Sequence, residues 1–207
     1  MLKRCVIVGG AEIKDYERIK KYIRSGDFVI FCDCGLRHKE PLGAEADLLV
    51  GDFDSFERPL TETETIVLPR EKDDTDTAYA VKTALARGFD EFLLIGAAGG
   101  RLDHTLGNVS LLFMLEKAGK KALIVDDNSE IELVGEQGAK VDGSFSYFSL
   151  ISFAGDAEGV VIKGAKYPLD GAGMTCDYQY GISNEVLPGE TAEITVEKGK
   201  LLLIKVF

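Results

Sequence analysis

The sequence predicts an α/β protein: a mostly parallel, doubly wound sheet domain over residues 1–127, then a small antiparallel β-sandwich domain over 128–207. Three observations carry this expectation. Short apolar runs alternate with segments of helical periodicity as far as Asp126-Asp127-Asn128. Beyond that point the helical periodicity disappears, and short β-prone runs are separated by glycine-rich turns. Aspartates also recur directly after the apolar runs of the first half.

The elements follow in chain order. CVIVGG (5–10) is the first strand, and Ile13, Tyr16, Ile19 and Ile23 keep helical spacing within a predicted helix over 12–25. FVIFCD (28–33), DLLVGD (47–52) and TIVLP (65–69) are the next three strands. A helix is expected from about Thr75 to Arg87, ended by Gly88, and another from about Asp103 to Lys117, ended by Gly119. EFLLIG (91–96) lies between those helices and KALIVD (121–126) closes the series. In the second half IELVG, SYFSLISF, GVVIKG, AEITVE and KLLLIKVF read as strands.

Composition narrows the function classes. A chain of 207 residues with 45% hydrophobic content has enough apolar material for a real core. A formal net charge of −11 argues against a nucleic-acid partner, which would need Lys and Arg on phosphate. No apolar run reaches the roughly 18–20 residues needed to cross a bilayer, and no signal-peptide pattern opens the chain. The expectation is a cytoplasmic protein with no membrane partner. The four cysteines show neither CxxC nor zinc spacing and read as reduced thiols.

In an open parallel sheet, ligands bind beyond the carboxyl ends of the strands, near the point where strand order reverses. Asp33, Asp52 and Asp54, the group Asp73, Asp74 and Asp76, and Asp103 all follow strands, so they converge on one edge. Asp74 and Asp90 also suit turn or cap positions. Carboxylates gathered in this way repel unless a cation joins them, and hard oxygen ligands suit Mg²⁺ carrying substrate phosphates. GAAGGRLDHT (96–105) adds a glycine-rich turn before a helix N-terminus and an arginine fork suited to phosphate oxygens. It is neither GxGxxG nor a P-loop. His104 is an acid–base candidate, set against a structural role at the helix end.

GDFDS (51–55), DDTDTAYA (73–80), GGRLDHTLGN (99–108), IKGAKYPL (162–169) and GISNE (181–185) occur in this order. In that series the chain resembles the bacterial-type thiamine pyrophosphokinases over nearly its whole length. The resemblance implies an ATP- and metal-binding α/β domain, and a β-sandwich domain that contributes to thiamine binding and homodimerisation. It implies transfer of the diphosphoryl group of ATP to the hydroxyl of thiamine, giving thiamine diphosphate and AMP, with Mg²⁺. Carried over by motif, Asp52, Asp54 and Asp76 hold metal and phosphates and act in catalysis with Arg101 and Asp103. Asp33, Thr75, Gly99, Gly100, Arg101 and Asn108 fall to the nucleotide, and Ser183 and Asn184 to thiamine. Asp33 and Asp103 are both candidates to accept the hydroxyl proton.

The chain departs from the family pattern in two places. Cys32-Asp33-Cys34-Gly35 stands where many relatives have Ala-Asp-Gly-Gly, and the chain has no tryptophan, where eukaryotic members tend to stack one on the substrate. Two other readings fit the same phosphate machinery: a pyrophosphokinase for another acceptor such as a hydroxymethylpterin, and a non-catalytic nucleotide or thiamine sensor.

Overall fold

The structure is a computed structural model that describes residues 3–53 and 61–207; Asp54 lies outside the described residues. Contacts divide the chain into two compact units, Met1–Asp127 and Asn128–Phe207.

Among the described residues, six strands form the sheet of the first unit: β1 (Arg4–Val8), β2 (Phe28–Cys32), β3 (Leu48–Gly51), β4 (Glu64–Val67), β5 (Glu91–Ile95) and β6 (Lys121–Val125). Their order is β4-β3-β2-β1-β5-β6, and each neighbouring pair is parallel. In β1, β2, β3 and β5 almost every residue is buried, as expected of strands covered on both faces. The chain builds outward from β1 to β4 and then returns to place β5 on the other side of β1. The order therefore reverses between β1 and β5. There the backbones come close: a Cβ on Gly9 would sit 2.6 Å from the Gly96 carbonyl oxygen, and one on Gly96, whose φ is +60°, would sit 2.4 Å from that of Gly9. Only glycine fits at either position.

Among the described residues this unit has four α-helices: α1 (Tyr16–Ile19), α2 (Lys39–Leu42), α3 (Asp76–Ala86) and α4 (Leu102–Lys117). The last two match the periodicity of the sequence. The first does not. A helix over 12–25 was expected, but α1 is one turn followed by a 3-10 turn, Lys20–Tyr22. The cause is capping by two aspartates, one of them distant in sequence. The Asp127 carboxylate accepts from the Lys14 and Asp15 amides, and Asp15 caps Arg18 N–H at 3.0 Å. These bonds hold the stretch before Tyr16 out of the helix.

The second unit has two antiparallel sheets. One is β7 (Ser129–Val134), β13 (Leu201–Val206) and β9 (Tyr147–Ile151). The other is β11 (Leu169–Met174), β10 (Ala157–Lys163), β12 (Thr191–Thr195) and β8 (Ala139–Asp142). Both contribute to one apolar core, in which Phe148, Leu150, Leu201 and Leu203 meet Val141, Val160, Ile162 and Ile194. Strands β8 and β11 have weak local signals. One offers a single inward valine and the other has glycines at 171 and 173, so pairing with β12 and β10 makes them strands. Among the described residues no helix is long and apolar enough to cross a membrane.

Candidate active site

A cleft of about 450 Å³ opens where the carboxyl ends of β1, β2, β3 and β5 meet the N-terminus of α3 and the turn before α4. It lies at the strand-order reversal, where an open parallel sheet offers its binding crevice. Of the residues expected to act here, Asp33, Asp52, Thr75, Asp76, Gly99, Gly100, Arg101 and Asn108 all line it. Asp103 does not line it but is tied to Arg101.

Each aspartate is placed by the end of a strand or a helix. Asp33 starts the 3-10 turn Asp33–His38 directly after β2, with φ +40°. Asp52 follows the last residue of β3, and Asp76 is the first residue of α3, where the helix dipole favours its charge. Thr75 caps that helix, its Oγ1 accepting from Ala78 N–H at 3.2 Å. Asp33, Asp52 and Asp76 each present a carboxylate oxygen within 4.8 Å of the others. Asp33 is 7% exposed, and its Oδ1 and that of Asp76 are shut off from solvent. Three hard oxygens at this spacing fit a divalent cation such as Mg²⁺. Burial pushes the nearby Cys32 thiol well up from its ordinary value.

Sequence reasoning missed Lys72. Its ammonium lies 2.8 Å from Asp52 Oδ2 and 2.9 Å from Asp76 Oδ1, with the three side chains only 16, 12 and 22% exposed. Burial alone would lower the Lys72 pKa, but the bonds to Asp52 and Asp76 outweigh it and hold the group above its ordinary value. The signal was present in EKDDTDT, where Lys72 stands four residues before Asp76, but the run reads as a solvated charge cluster. Its neighbours behave that way. Asp74 pairs with Lys82 at 2.6 Å, both part-exposed, and Asp90 joins Lys120 at 2.8 Å as structure.

The glycine-rich turn is held from behind. Asn108 is buried and its Nδ2 donates to the Ala97 carbonyl at 2.7 Å. Thr105 Oγ1, also missed from the sequence, accepts from Gly99 N–H at 3.1 Å. Arg101 sits at the solvent edge and donates from Nη2 to Asp103 Oδ2 at 2.6 Å, which holds the Asp103 carboxyl at about 2. The His104 ring also lines the cleft.

In the second unit Ser183 and Asn184 sit apart in character. Ser183 is exposed and left-handed, with φ +56°, and its N–H donates to Ser149 Oγ at 3.0 Å. Asn184 is 3% exposed. Its Oδ1 accepts from Tyr167 and Glu185 N–H, and its Nδ2 donates to the Tyr167 carbonyl at 2.8 Å. Most of its amide is therefore used inside the protein, leaving one N–H for a ligand. Asn184, Tyr167, Pro168, Tyr180 and Ile182 line a second cleft of about 470 Å³. Both tyrosines and Ile182 are exposed.

Residues 19–125 match the family described as thiamin pyrophosphokinase, catalytic domain, and residues 132–201 match the thiamin pyrophosphokinase vitamin B1 binding domain. The thiamine pyrophosphokinase of Bacillus subtilis (strain 168) is 34% identical over 163 residues, covering 75% of this chain and 76% of that protein. A crystal structure of thiamine pyrophosphokinase from Bacillus subtilis superposes with a TM-score of 0.85 at 28% identity, covering 99% of both chains. One from Geobacillus thermodenitrificans gives 0.83 at 26%, covering 99% of this chain and 97% of the other. With both halves matched in order by the two domains of one enzyme family, this chain belongs to the thiamine pyrophosphokinases.

Proposed function

We propose that this chain transfers a diphosphoryl group from ATP to the hydroxyl of thiamine, giving thiamine diphosphate and AMP. The observation that carries the site reading is the convergence of Asp33, Asp52 and Asp76 within 4.8 Å, at the strand-order reversal and beside the Gly99–Arg101 turn. The match of residues 132–201 to a vitamin B1 binding domain favours thiamine over a pterin acceptor.

In the proposed mechanism the chain supplies positioning and charge. Asp52 and Asp76, with Asp33 beside them and Asp54 by resemblance, hold the metal–phosphate group. A divalent cation bound there supplies neutralisation of the phosphoryl oxygens. The turn at Gly99 and Gly100 presents backbone to the phosphates, and Arg101 turns its fork from Asp103 onto them. Asp103 is held at about 2 only while Arg101 is paired with it, and transfers of this type ask little of a base. The acidic cleft also attracts the thiazolium cation.

The proposed assembly is a homodimer, supported by the exposed Tyr167, Tyr178, Tyr180 and Ile182 around the GISNE segment. The proposed location is the cytoplasm, a reducing compartment that suits four unpaired cysteines.

Incubation with ATP, Mg²⁺ and thiamine, with products resolved by mass, tests the activity. AMP and thiamine diphosphate are expected. ADP with thiamine monophosphate, or no turnover, would overturn it.

A further inference from the structure

Lys72 is the one cation that touches two of the three clustered carboxylates among the described residues. Its contacts are to Asp52 and Asp76, and the proposed metal depends on the same two groups. An ammonium 2.8–2.9 Å from a carboxylate oxygen takes up the lone pairs that a small divalent ion needs at about 2.1 Å. Holding both cations there would press like charges together in a half-buried site. The formal charges of Asp33, Asp52, Asp76 and Lys72 sum to −2, so the lysine balances one of the three negative charges. A lysine suits such a post because its charge is a point on a flexible four-carbon stem that can swing to a new anion.

We propose that Lys72 is a built-in counter-ion that competes with the metal for Asp52 and Asp76, and so makes metal binding conditional on the nucleotide. When metal and nucleotide enter together, the polyphosphate gives the displaced ammonium a new anionic partner. When metal arrives alone, the ammonium has nowhere comparable to go. Metal and nucleotide thereby favour each other's binding through one side chain, a coupling that must be reciprocal. Lys82, nearby on α3, has no such part, since its partner Asp74 lies outside the cluster.

This inference rests on the metal reading proposed above. Its test is calorimetric titration of the purified chain with Mn²⁺, with and without the α,β-methylene analogue of ATP. Wild type is expected to bind Mn²⁺ weakly alone and more tightly with the analogue. Lys72→Met is expected to bind Mn²⁺ alone on the order of tenfold more tightly, and to lose most of the enhancement by the analogue. Lys72→Arg keeps the charge and should stay near wild type, as should Lys82→Met. Thermal unfolding supplies a check on the fold: Mn²⁺ alone should raise the melting temperature of Lys72→Met more than that of wild type. Equal or weaker Mn²⁺ affinity in a folded Lys72→Met, while wild type still binds metal with the analogue, overturns the inference alone. Absence of Mn²⁺ binding by every variant under both conditions overturns the metal reading with it.

Discussion

A Cβ placed on Gly51 would lie 3.0 Å from the Cβ of Asp33 and 3.1 Å from its Cα. The end of β3 and the turn after β2 are thus fitted together backbone to backbone, with Asp33 in left-handed conformation at φ +40°. Left-handed non-glycine residues cost energy and persist only where the surroundings hold them. Among the described residues they are Asp33, Phe53 and Ser183, and each lies in or beside a segment assigned to the site.

Gly51→Ala should therefore displace Asp33. Overpacking of this sort costs about 1–3 kcal/mol. The expected result is a folded protein with a lowered melting temperature and turnover reduced far more than stability alone explains. Wild-type kinetics in Gly51→Ala would show that the position of Asp33 is immaterial.

Asp52→Asn and Asp76→Asn should each cut turnover by about two to three orders of magnitude, the scale on which one preorganised electrostatic group matters. Lys72 keeps one carboxylate partner in either variant, so the melting temperature should move little. Loss of folding in step with activity would make these aspartates structural.

Arg101→Ala should raise the KM for ATP and leave unfolding unchanged, because the pair with Asp103 is largely exposed and surface ion pairs contribute little. A large drop in melting temperature would contradict the phosphate role.

Ser183→Leu and Asn184→Ala should separate a ligand contact from a scaffold. The Asn184 amide serves the Tyr167 N–H and carbonyl and the Glu185 N–H. Its loss should destabilise the protein by about 1–3 kcal/mol or more. Ser183→Leu should raise the KM for thiamine by more than the modest stability cost of a bulky residue at φ +56° explains. For a homodimer with composite sites, mixing Ser183→Leu with Asp52→Asn should restore part of the activity that each lacks. Sedimentation as a monomer with full activity would refute the dimer.

His38 gives the stability a pH dependence. It is 1% exposed, Nε2 donates to the Ala11 carbonyl at 2.9 Å, and Nδ1 accepts from Tyr16 OH at 2.7 Å, so the neutral ring is the one that fits. Burial lowers its pKa below the ordinary value of about 6.5. Its contribution is complete above about pH 6.5 and declines as pH falls toward the folded-state pKa, by up to about 1.4 kcal/mol per unit. Urea unfolding at pH 7.5 and 5.5 should show wild type losing more stability than His38→Gln. Equal losses would remove His38 from the account.

The sequence by itself determined the alternation of strand and helix, the change of character near residue 128, and the ordered motifs that carry family membership. All of these are local: apolar period, caps at Thr75 and Gly88, and side chains that follow strand ends. It also placed Asp33, Asp52 and Asp76 at strand or helix ends, and their loops necessarily open on one edge of a parallel sheet. Tertiary structure alone decided which partner each group takes. Lys72 reads as one charge in an acidic run until β3 brings Asp52 beside it. Asn184 reads as a ligand contact from the motif, and only the fold shows that most of its amide also ties the Tyr167 and Glu185 backbone. The helix expected over 12–25 gave way to α1 because Asp127, more than a hundred residues away, binds the Lys14 and Asp15 amides. Strands β8 and β11 likewise owe their state to neighbours across the sheet, since hydrogen bonds between distant segments leave no period in either one.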